Sequence, residues 1–169
     1  MIDNPDYKLT ALAGEIGRLL NKCKLSLGVT ESATGGLVSH AITNIPGCSA
    51  YYLGSVTSYS NHIKQKLLGV SARTLESQGA VSAETACQMA SGGRQLLGAD
   101  ICLSDTGIAG PGGETPSKPV GLFYLGLSTP EGVKAFERRF AGSREEIKYQ
   151  AAMAVLEILK EYLEDTFGE

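Results

Sequence analysis

The sequence predicts an α/β fold, in which helices cover both faces of a sheet to give a three-layer α/β/α single domain over residues 1–169. Short apolar segments of strand length alternate with amphipathic helical segments along the chain, a pattern typical of α/β proteins. Only a short turn, Thr129-Pro130-Glu131-Gly132, separates the last two strand segments. A late antiparallel hairpin is therefore expected in a mixed, mostly parallel sheet.

In the first half of the chain, apolar residues recur at helical spacing from Leu9 to Leu20, which predicts an amphipathic helix. The segment from Tyr51 to Tyr59 is rich in Tyr, Val, Thr and Ser, as strands are. The elements expected in this half are a helix over 9–20, a strand over 25–30, a helix over 37–42, a strand over 51–59 and short helices over 60–69 and 71–78.

In the second half, Ser82 can cap a helix and Ser143 with Glu146 forms a capping-box pattern. The segment from Val120 to Ser128 is apolar on both alternating faces, which indicates a strand in the middle of the sheet. The elements expected here are a helix over 83–97, strands over 101–103, 120–128 and 133–140, and a helix from 143 to about 165.

The composition excludes several classes of protein. Fifteen Lys and Arg against 18 Asp and Glu give a net charge of −3, which argues against a broad basic nucleic-acid surface while allowing a local basic pocket. The four cysteines include no C-x-x-C pair and the two histidines are far apart, so neither a metal site nor a disulfide framework is expected. A polar amino terminus and the lack of a long apolar run predict a cytoplasmic protein without a membrane segment.

A hydroxyl-rich turn follows the first predicted strand, at Thr30-Glu31-Ser32-Ala33-Thr34-Gly35-Gly36. Main-chain N–H groups at the start of a helix favour a phosphate or a developing oxyanion, so the amides around Thr34 to Gly36 are expected to supply an oxyanion site. Either Ser32 or Thr34 could attack an acyl carbon beside such amides. The structural alternative is that Ser and Thr serve as ordinary N-caps and that Gly35-Gly36 only makes the turn.

A possible acid/base pair lies at the end of the second predicted strand, where Tyr59 is followed by Lys64. A lysine removed from water in a pocket can accept a proton from a serine. The alternative is a solvated helix lysine beside a half-buried strand tyrosine, which is commoner.

Two further segments could bind a ligand. The glycine-rich run 107–113 follows a buried strand, where α/β proteins usually place their sites, although a flexible crossover loop is an equal alternative. Arg144 and Lys148 lie at the start of the last predicted helix, where Arg144 could bind a phosphate or simply be solvated.

In combination, these segments resemble the CinA carboxy-terminal domain family. The motifs that carry the resemblance are, in chain order, E-S-A-T-G-G from residue 31, P-G-C-S-A-Y-Y from 46, S-Y-S-N-x-x-K from 58, G-A-V-S from 79, T-G-I-A-G-P-G-G from 106, K-P-V-G from 118 and G-S-R from 142. The resemblance covers about residues 8–165. It implies a standalone domain of a family whose enzymatic members are nicotinamide mononucleotide deamidases of the PncC type.

The resemblance implies hydrolysis of the carboxamide of nicotinamide mononucleotide to nicotinic acid mononucleotide and ammonia, without a metal or cofactor. Ser32 would be the nucleophile, Lys64 its base, and Tyr59 would assist proton movement or hold Lys64. Substrate binding would fall to the segments that match the remaining motifs, at Thr34, Gly35, Gly36, Thr106, Gly107, Gly110 and Arg144. The family usually has cysteine where this chain has Ala33, which leaves a serine mechanism intact.

Two other functions remain open at this point. The same glycine loops and Arg144 would serve a non-catalytic nucleotide- or phosphate-binding module of a competence- or damage-inducible system, which needs no contact between Ser32 and Lys64. A purely structural domain is a third interpretation. A phosphorylated nucleotide is the expected ligand, with no nucleic acid and no membrane as partners. Self-association, most simply as a homodimer, is also expected.

Overall fold

The computed structural model describes residues 5–168 as helices arranged on both faces of a five-stranded sheet. The helices are α1 Pro5–Cys23, α2 Leu37–Thr43, α3 Asn61–Leu68, α4 Ala72–Ser77, α5 Ala83–Leu97 and α6 Arg144–Phe167, with a 3-10 turn at Cys48–Ala50. The strands are β1 Leu27–Glu31, β2 Tyr52–Thr57, β3 Ile101–Gly107, β4 Leu122–Thr129 and β5 Gly132–Arg139. The predicted three-layer α/β/α fold and the predicted elements are confirmed.

The strands lie in the order β2-β1-β3-β4-β5. β1 pairs in parallel with β2 and β3, whereas β4 pairs antiparallel with β3 and β5. The expected mixed sheet and late hairpin are therefore present, and β4 is an inner strand as its apolar pattern indicates. Four strands run in one direction, but neighbouring pairs divide evenly between parallel and antiparallel because the reversed strand β4 has a neighbour on each side.

The two faces of the sheet carry side chains of different size. Leu27, Val29, Leu103 and Leu125 belong to the main core cluster, which α1, α2 and α6 complete on one face. The other face carries small residues against α5. The close neighbours across it are Gly28 with Leu97, Thr30 and Cys102 with Gly93, and Ser104 and Gly126 with Ala86. Alternation along each strand produces this division, because successive side chains point to opposite faces.

β3 extends further than the sequence predicts, through Gly107 rather than Leu103. Its pairing with β1 ends at Ser104, but its pairing with β4 continues to Gly107 opposite Phe123. Asp105 and Thr106 are consequently strand residues and not part of the following loop. The ends of β1, β2 and β3 meet at one edge of the sheet, where α6 also begins, and this edge positions the candidate site.

Candidate active site

A cleft of about 310 Å³ opens at this edge, between the turn after β1, the start of α3, the loop after β3 and the start of α6. Of the predicted site residues, those lining it are Ser32, Tyr59, Lys64, Thr106, Gly107, Gly110 and Arg144. Thr34, Gly35 and Gly36 lie outside its lining. Ala33, Ala80 and Val81 also line the cleft, and no sequence argument singled them out for it.

Ser32 and Lys64 are in direct contact, with Lys64 Nζ 2.8 Å from Ser32 Oγ. Ser32 follows the last residue of β1, and Lys64 lies in the first half of α3, whose start is capped by Ser60 through the N–H of Ile63. Both side chains are almost fully buried, at 8% exposure for Ser32 and 1% for Lys64. The solvated-lysine alternative is therefore wrong.

The surroundings of Lys64 suit a base. Its Nζ also lies 2.6 Å from the carbonyl oxygen of Ser58 and 3.5 Å from that of Tyr59. Burial lowers the pKa of Lys64 to about 8, against the opposing effect of the nearby Asp105 charge. When Lys64 is neutral, its two N–H groups can donate to the two carbonyls, which leaves the nitrogen lone pair to accept the Ser32 proton.

The main-chain N–H groups at the start of α2 are hydrogen-bonded to the side-chain carboxylate of Glu31. Glu31 accepts hydrogen bonds from the N–H groups of Gly36 at 2.8 Å, Val38 at 3.1 Å and Ser39 at 2.9 Å. The N-cap of α2 is Gly36, without a side-chain cap, so Ser32 and Thr34 are not its N-caps. The N–H groups at this helix start therefore serve Glu31 rather than a ligand.

Asp105 accepts hydrogen bonds from two further main-chain N–H groups of the turn. Its carboxylate accepts from the N–H of Thr34 at 3.0 Å and from that of Ser32 at 3.3 Å. The expectation that the amides from Thr34 to Gly36 receive an oxyanion is wrong for Thr34 and Gly36, because buried carboxylates take those N–H groups. The role predicted for Gly35 stays a prediction; its φ of +65° is one that glycine adopts readily, and it serves the turn.

One hydroxyl joins the two buried carboxylates. Thr34 Oγ1 lies 2.7 Å from Glu31 Oε2 and 2.5 Å from Asp105 Oδ2. A hydroxyl has a single proton to donate, so both contacts are hydrogen bonds only when one carboxyl carries a proton. Burial and the charge of Glu31 raise the pKa of Asp105 to about 6. Asp105 therefore carries this proton below about pH 6 and is an anion near pH 8, where the Thr34 hydroxyl donates to only one of the two carboxylates.

Arg144 closes one side of the cleft by crossing from α6 to two other segments. Its guanidinium donates to the carbonyl oxygen of Gly110 at 2.6 Å and to the phenol oxygen of Tyr59 at 3.0 Å. Tyr59 is 64% exposed, and the part of it that contacts Lys64 is the main-chain carbonyl rather than the phenol. Lys148 adds a second cation nearby, since its Nζ is 3.6 Å from where a Cβ at position 35 would lie.

The glycine-rich segment lines the cleft, and two of its glycines also pack closely against neighbouring side chains. A Cβ on Gly107 would lie 2.3 Å from the ring of Phe123, and one on Gly110 would lie 2.7 Å from Val120. Thr106 also lines the cleft, with its hydroxyl donating to the carbonyl of Ala80 at 2.7 Å. Close packing at Gly107 and Gly110 fixes the start of this segment, whereas Gly112 has open space around it.

Glu31 and Asp105 were not predicted as site residues, although Glu31 begins the motif E-S-A-T-G-G and Asp105 directly precedes T-G-I-A-G-P-G-G. The available signal was a carboxylate directly after an apolar strand, a position expected to be buried. Within residues 5–168, no group of three or more His, Cys, Asp or Glu is arranged to hold a metal ion. No helix of the described chain is long and apolar enough to cross a membrane.

Fold and site together define an α/β domain with a buried serine–lysine pair at the carboxyl edge of its sheet. The chain belongs to the CinA C-terminal domain family, whose model matches residues 9–163. This membership agrees with the resemblance carried by the sequence motifs, and it covers the whole of the site.

Relatives of known sequence include a competence-damage inducible protein of Halothermothrix orenii, 48% identical over 159 residues, which are 94% of this chain and 38% of the relative. A CinA-like protein of Desulfotalea psychrophila is also 48% identical over 159 residues, 93% of this chain and 38% of the relative. The chain thus spans about two fifths of the length of these relatives.

Solved structures show the same fold. The competence/damage inducible protein CihA of Agrobacterium tumefaciens is similar with a TM-score of 0.88 and 38% identity, covering 90% of this chain and 94% of that protein. A CinA superfamily protein of Klebsiella pneumoniae is similar with a TM-score of 0.90 and 29% identity, covering 93% of this chain and 98% of that one.

Proposed function

We propose that this chain is an amidohydrolase that converts nicotinamide mononucleotide to nicotinic acid mononucleotide and ammonia. The observation that carries the proposal is the 2.8 Å contact between Ser32 Oγ and Lys64 Nζ, with both side chains almost fully buried. A serine becomes a nucleophile when a base within hydrogen-bond reach can take its proton, and a lysine becomes that base when its pKa falls towards neutrality. Both conditions hold for this pair.

The reaction proceeds in two halves. Ser32 Oγ attacks the carboxamide carbon while its proton passes to Lys64, and Lys64 then protonates the leaving nitrogen, so that ammonia departs and an acyl ester remains on Ser32. In the second half, water attacks the ester as Lys64 takes a proton from it. Lys64 returns this proton to Ser32 Oγ when the carboxylic acid leaves, and the enzyme is restored.

The oxyanion formed in each half requires N–H donors that the chain has not already used. Since Glu31 and Asp105 take those of Gly36 and Thr34, the donors come from the rest of the cleft lining. The N–H of Ala33, next to the nucleophile, and those of Ala109, Gly110, Gly112 and Gly113 are the main-chain candidates. This assignment replaces the one made from the sequence.

Substrate binding fits the charge distribution of the cleft. Arg144 has five N–H donors and gives one each to Gly110 and Tyr59, which leaves donors for a phosphate at the mouth. Lys148 supplies further positive charge on the same helix. The pyridine ring would lie deeper, against Thr106, Gly107 and Gly110, with its carboxamide towards Ser32.

The decisive experiment measures ammonia release from nicotinamide mononucleotide by the purified chain. We expect turnover in the unaltered protein and its loss, by at least about a thousandfold, in both Ser32→Ala and Lys64→Ala, because the two residues act as one unit. The matched control is Lys66→Ala, an exposed lysine on the same helix, which should keep full turnover. Full turnover by Ser32→Ala would refute the serine mechanism.

A non-catalytic binding module is the second candidate, and the names of relatives as competence-damage inducible proteins are what favour it. Such a module would bind nicotinamide mononucleotide without releasing ammonia. Its affinity would also be the same in Ser32→Ala as in the unaltered chain. Calorimetric titration of both proteins beside the ammonia assay separates the two functions.

A further inference from the structure

Asp105 is a buried carboxylate whose charge the local hydrogen bonding does not require. It is 1% exposed, and it accepts the N–H groups of Ser32 and Thr34. A neutral oxygen could accept the same two N–H groups without the cost of taking a charge out of water. A charge kept at this cost needs a further explanation, and the reacting pair is next to it.

Asp100, which directly precedes β3, gives a comparison for Asp105 because it makes similar hydrogen bonds with a structural role only. Its carboxylate also accepts a serine N–H, that of Ser26 at 2.8 Å, together with the hydroxyl of Ser26 at 2.7 Å. Asp100 is partly exposed, however, and it lies just before β3, at the edge of the sheet away from the cleft. Asp105 makes similar contacts but is almost fully buried.

The charge of Asp105 acts on Lys64. It opposes the effect of burial and favours the protonated lysine. In the proposed reaction Lys64 becomes an ammonium as Ser32 attacks. An anion fixed nearby therefore stabilises the transition state more than the state before the attack, in which Lys64 is neutral. The same anion binds the N–H of Ser32, so orientation of the nucleophile and stabilisation of the protonated base depend on one carboxylate.

We propose that Asp105 is the positioning residue of the Ser32–Lys64 pair: it fixes the Ser32 turn through two main-chain N–H groups and stabilises the positive charge that Lys64 acquires. This inference rests on the proposed function for its use in turnover. The other ionisable groups close to the pair or to its cleft include Glu31 from β1, Tyr59 before α3, and Arg144 and Lys148 from α6. Of these, Glu31 meets Asp105 through the Thr34 hydroxyl.

The test uses a reagent that needs no nicotinamide substrate. Phenylmethylsulfonyl fluoride reacts when Ser32 Oγ attacks its sulfur, fluoride leaves and Lys64 takes the serine proton. The rate of this labelling is measured from pH 5 to 10 by intact mass, with Ser32→Ala to show which serine reacts. The variants compared are Asp105→Asn, Asp105→Glu and the matched control Asp100→Asn, with thermal melting to confirm that each is folded.

For the unaltered chain we expect the labelling rate to rise with a midpoint near pH 8, the pKa of Lys64. Asp105→Asn should move the midpoint down by about half a pH unit or more, because the anion that favours the ammonium is gone. Its maximal rate should also fall by about tenfold or more, because the nucleophile is less well oriented. Asp105→Glu should keep the midpoint and lose rate, and Asp100→Asn should change neither.

An unchanged midpoint in Asp105→Asn would overturn the proposal whatever happens to the rate, because a purely structural residue can lower the rate but does not act on the charge of Lys64. Unlabelled Ser32 in the unaltered chain would overturn it as well. If Asp105→Asn does not fold, Asp105→Glu decides: an unaltered maximal rate contradicts the proposal. Normal labelling behaviour without ammonia release would refute the deamidase function and leave this inference standing.

Discussion

Within the part of the chain that the structure describes, Lys64 is among the largest fully buried side chains, together with Phe123 and the core leucines. A lysine in such a place lowers the free energy of unfolding, because burial disfavours the protonated lysine in the folded state. The same effect lowers the pKa of Lys64 from 10.5 to about 8. A chain selected for stability alone would carry an apolar residue there. The contact of Lys64 with Ser32 explains why the chain carries a lysine there despite the loss of stability.

At the residue scale, we therefore expect Lys64→Met to abolish turnover and yet raise the free energy of unfolding at pH 7 by about 1–2 kcal/mol. The lysine is charged in both states below pH 8, so the full penalty applies there. It fades as the pH rises from about 8 to 10.5, and the advantage of Lys64→Met should fade with it. Urea unfolding at pH 7 and pH 10 measures both values. A Lys64→Met protein less stable than the unaltered chain at pH 7 would contradict this account.

The same lysine sets the pH dependence of catalysis. Only neutral Lys64 can take the Ser32 proton, so kcat/KM for deamidation should rise about tenfold per pH unit below pH 8 and level off above it. Stopped assays of ammonia from pH 6 to 9.5 give the profile. A profile that is flat across pH 8 would show that Lys64 is not the base.

At the element scale, α5 packs closely against α3 and β1 through two glycines. Gly92 meets α3 so closely that a Cβ would lie 1.8 Å from the carbonyl oxygen of Leu68, and Gly93 lies against Thr30 of β1. Intrinsic helix propensity disfavours both glycines, but the contacts require them. Because α3 also carries Lys64, this packing helps to place the base.

Two helical glycines should consequently respond in opposite ways to the same substitution. Gly92→Ala should lower the free energy of unfolding by about 2 kcal/mol or more, since main-chain atoms of Leu68 must move. Gly14→Ala on α1, where a Cβ would make an ordinary 3.5 Å contact with Ile45, should raise it by about 0.5–1 kcal/mol. Thermal melting of both variants is the measurement. Equal effects would mean that propensity, not packing, governs α5.

At the scale of the whole molecule, α1 and α6 pack on each other and together cover the large-residue face of the sheet. Helices from opposite ends of the described chain thus complete one core. Their packing has to form together with the sheet, since apolar residues of both helices belong to the same core cluster as those of the strands. The expected homodimer is a separate matter and stays a prediction, which sedimentation equilibrium can check.

We expect Ile16→Ala, which empties a fully buried position on α1, to lower the free energy of unfolding by about 2–4 kcal/mol in one cooperative transition. The control Leu96→Ala, at a side chain that is 52% exposed on α5, should cost no more than about 0.5 kcal/mol. Urea unfolding followed by circular dichroism measures both. A biphasic transition in Ile16→Ala would show that the helical layer unfolds separately from the sheet.

Most of the fold could be predicted from the sequence. The helix over 83–97 is present with the predicted limits, and the capping box of Ser143 and Glu146 forms as expected. β3 was predicted too short, because its last residues are polar and their strand conformation depends on pairing with β4. Of the site, the sequence predicts seven of the cleft-lining residues but misses others. It also misassigns the N–H groups of Thr34 and Gly36, which depend on partners elsewhere in the chain.

By itself, the sequence determined the order and type of the elements, because periodicity, caps and turns are set by neighbours along the chain. Its motifs also determined the family. Only the tertiary structure decided that Ser32 meets Lys64, 32 residues later, that Asp105 holds the Ser32 turn across 73 residues, and that Arg144 reaches Tyr59 across 85. Burial sets the proton affinity of Lys64 and Asp105, and burial exists only once the layers have packed.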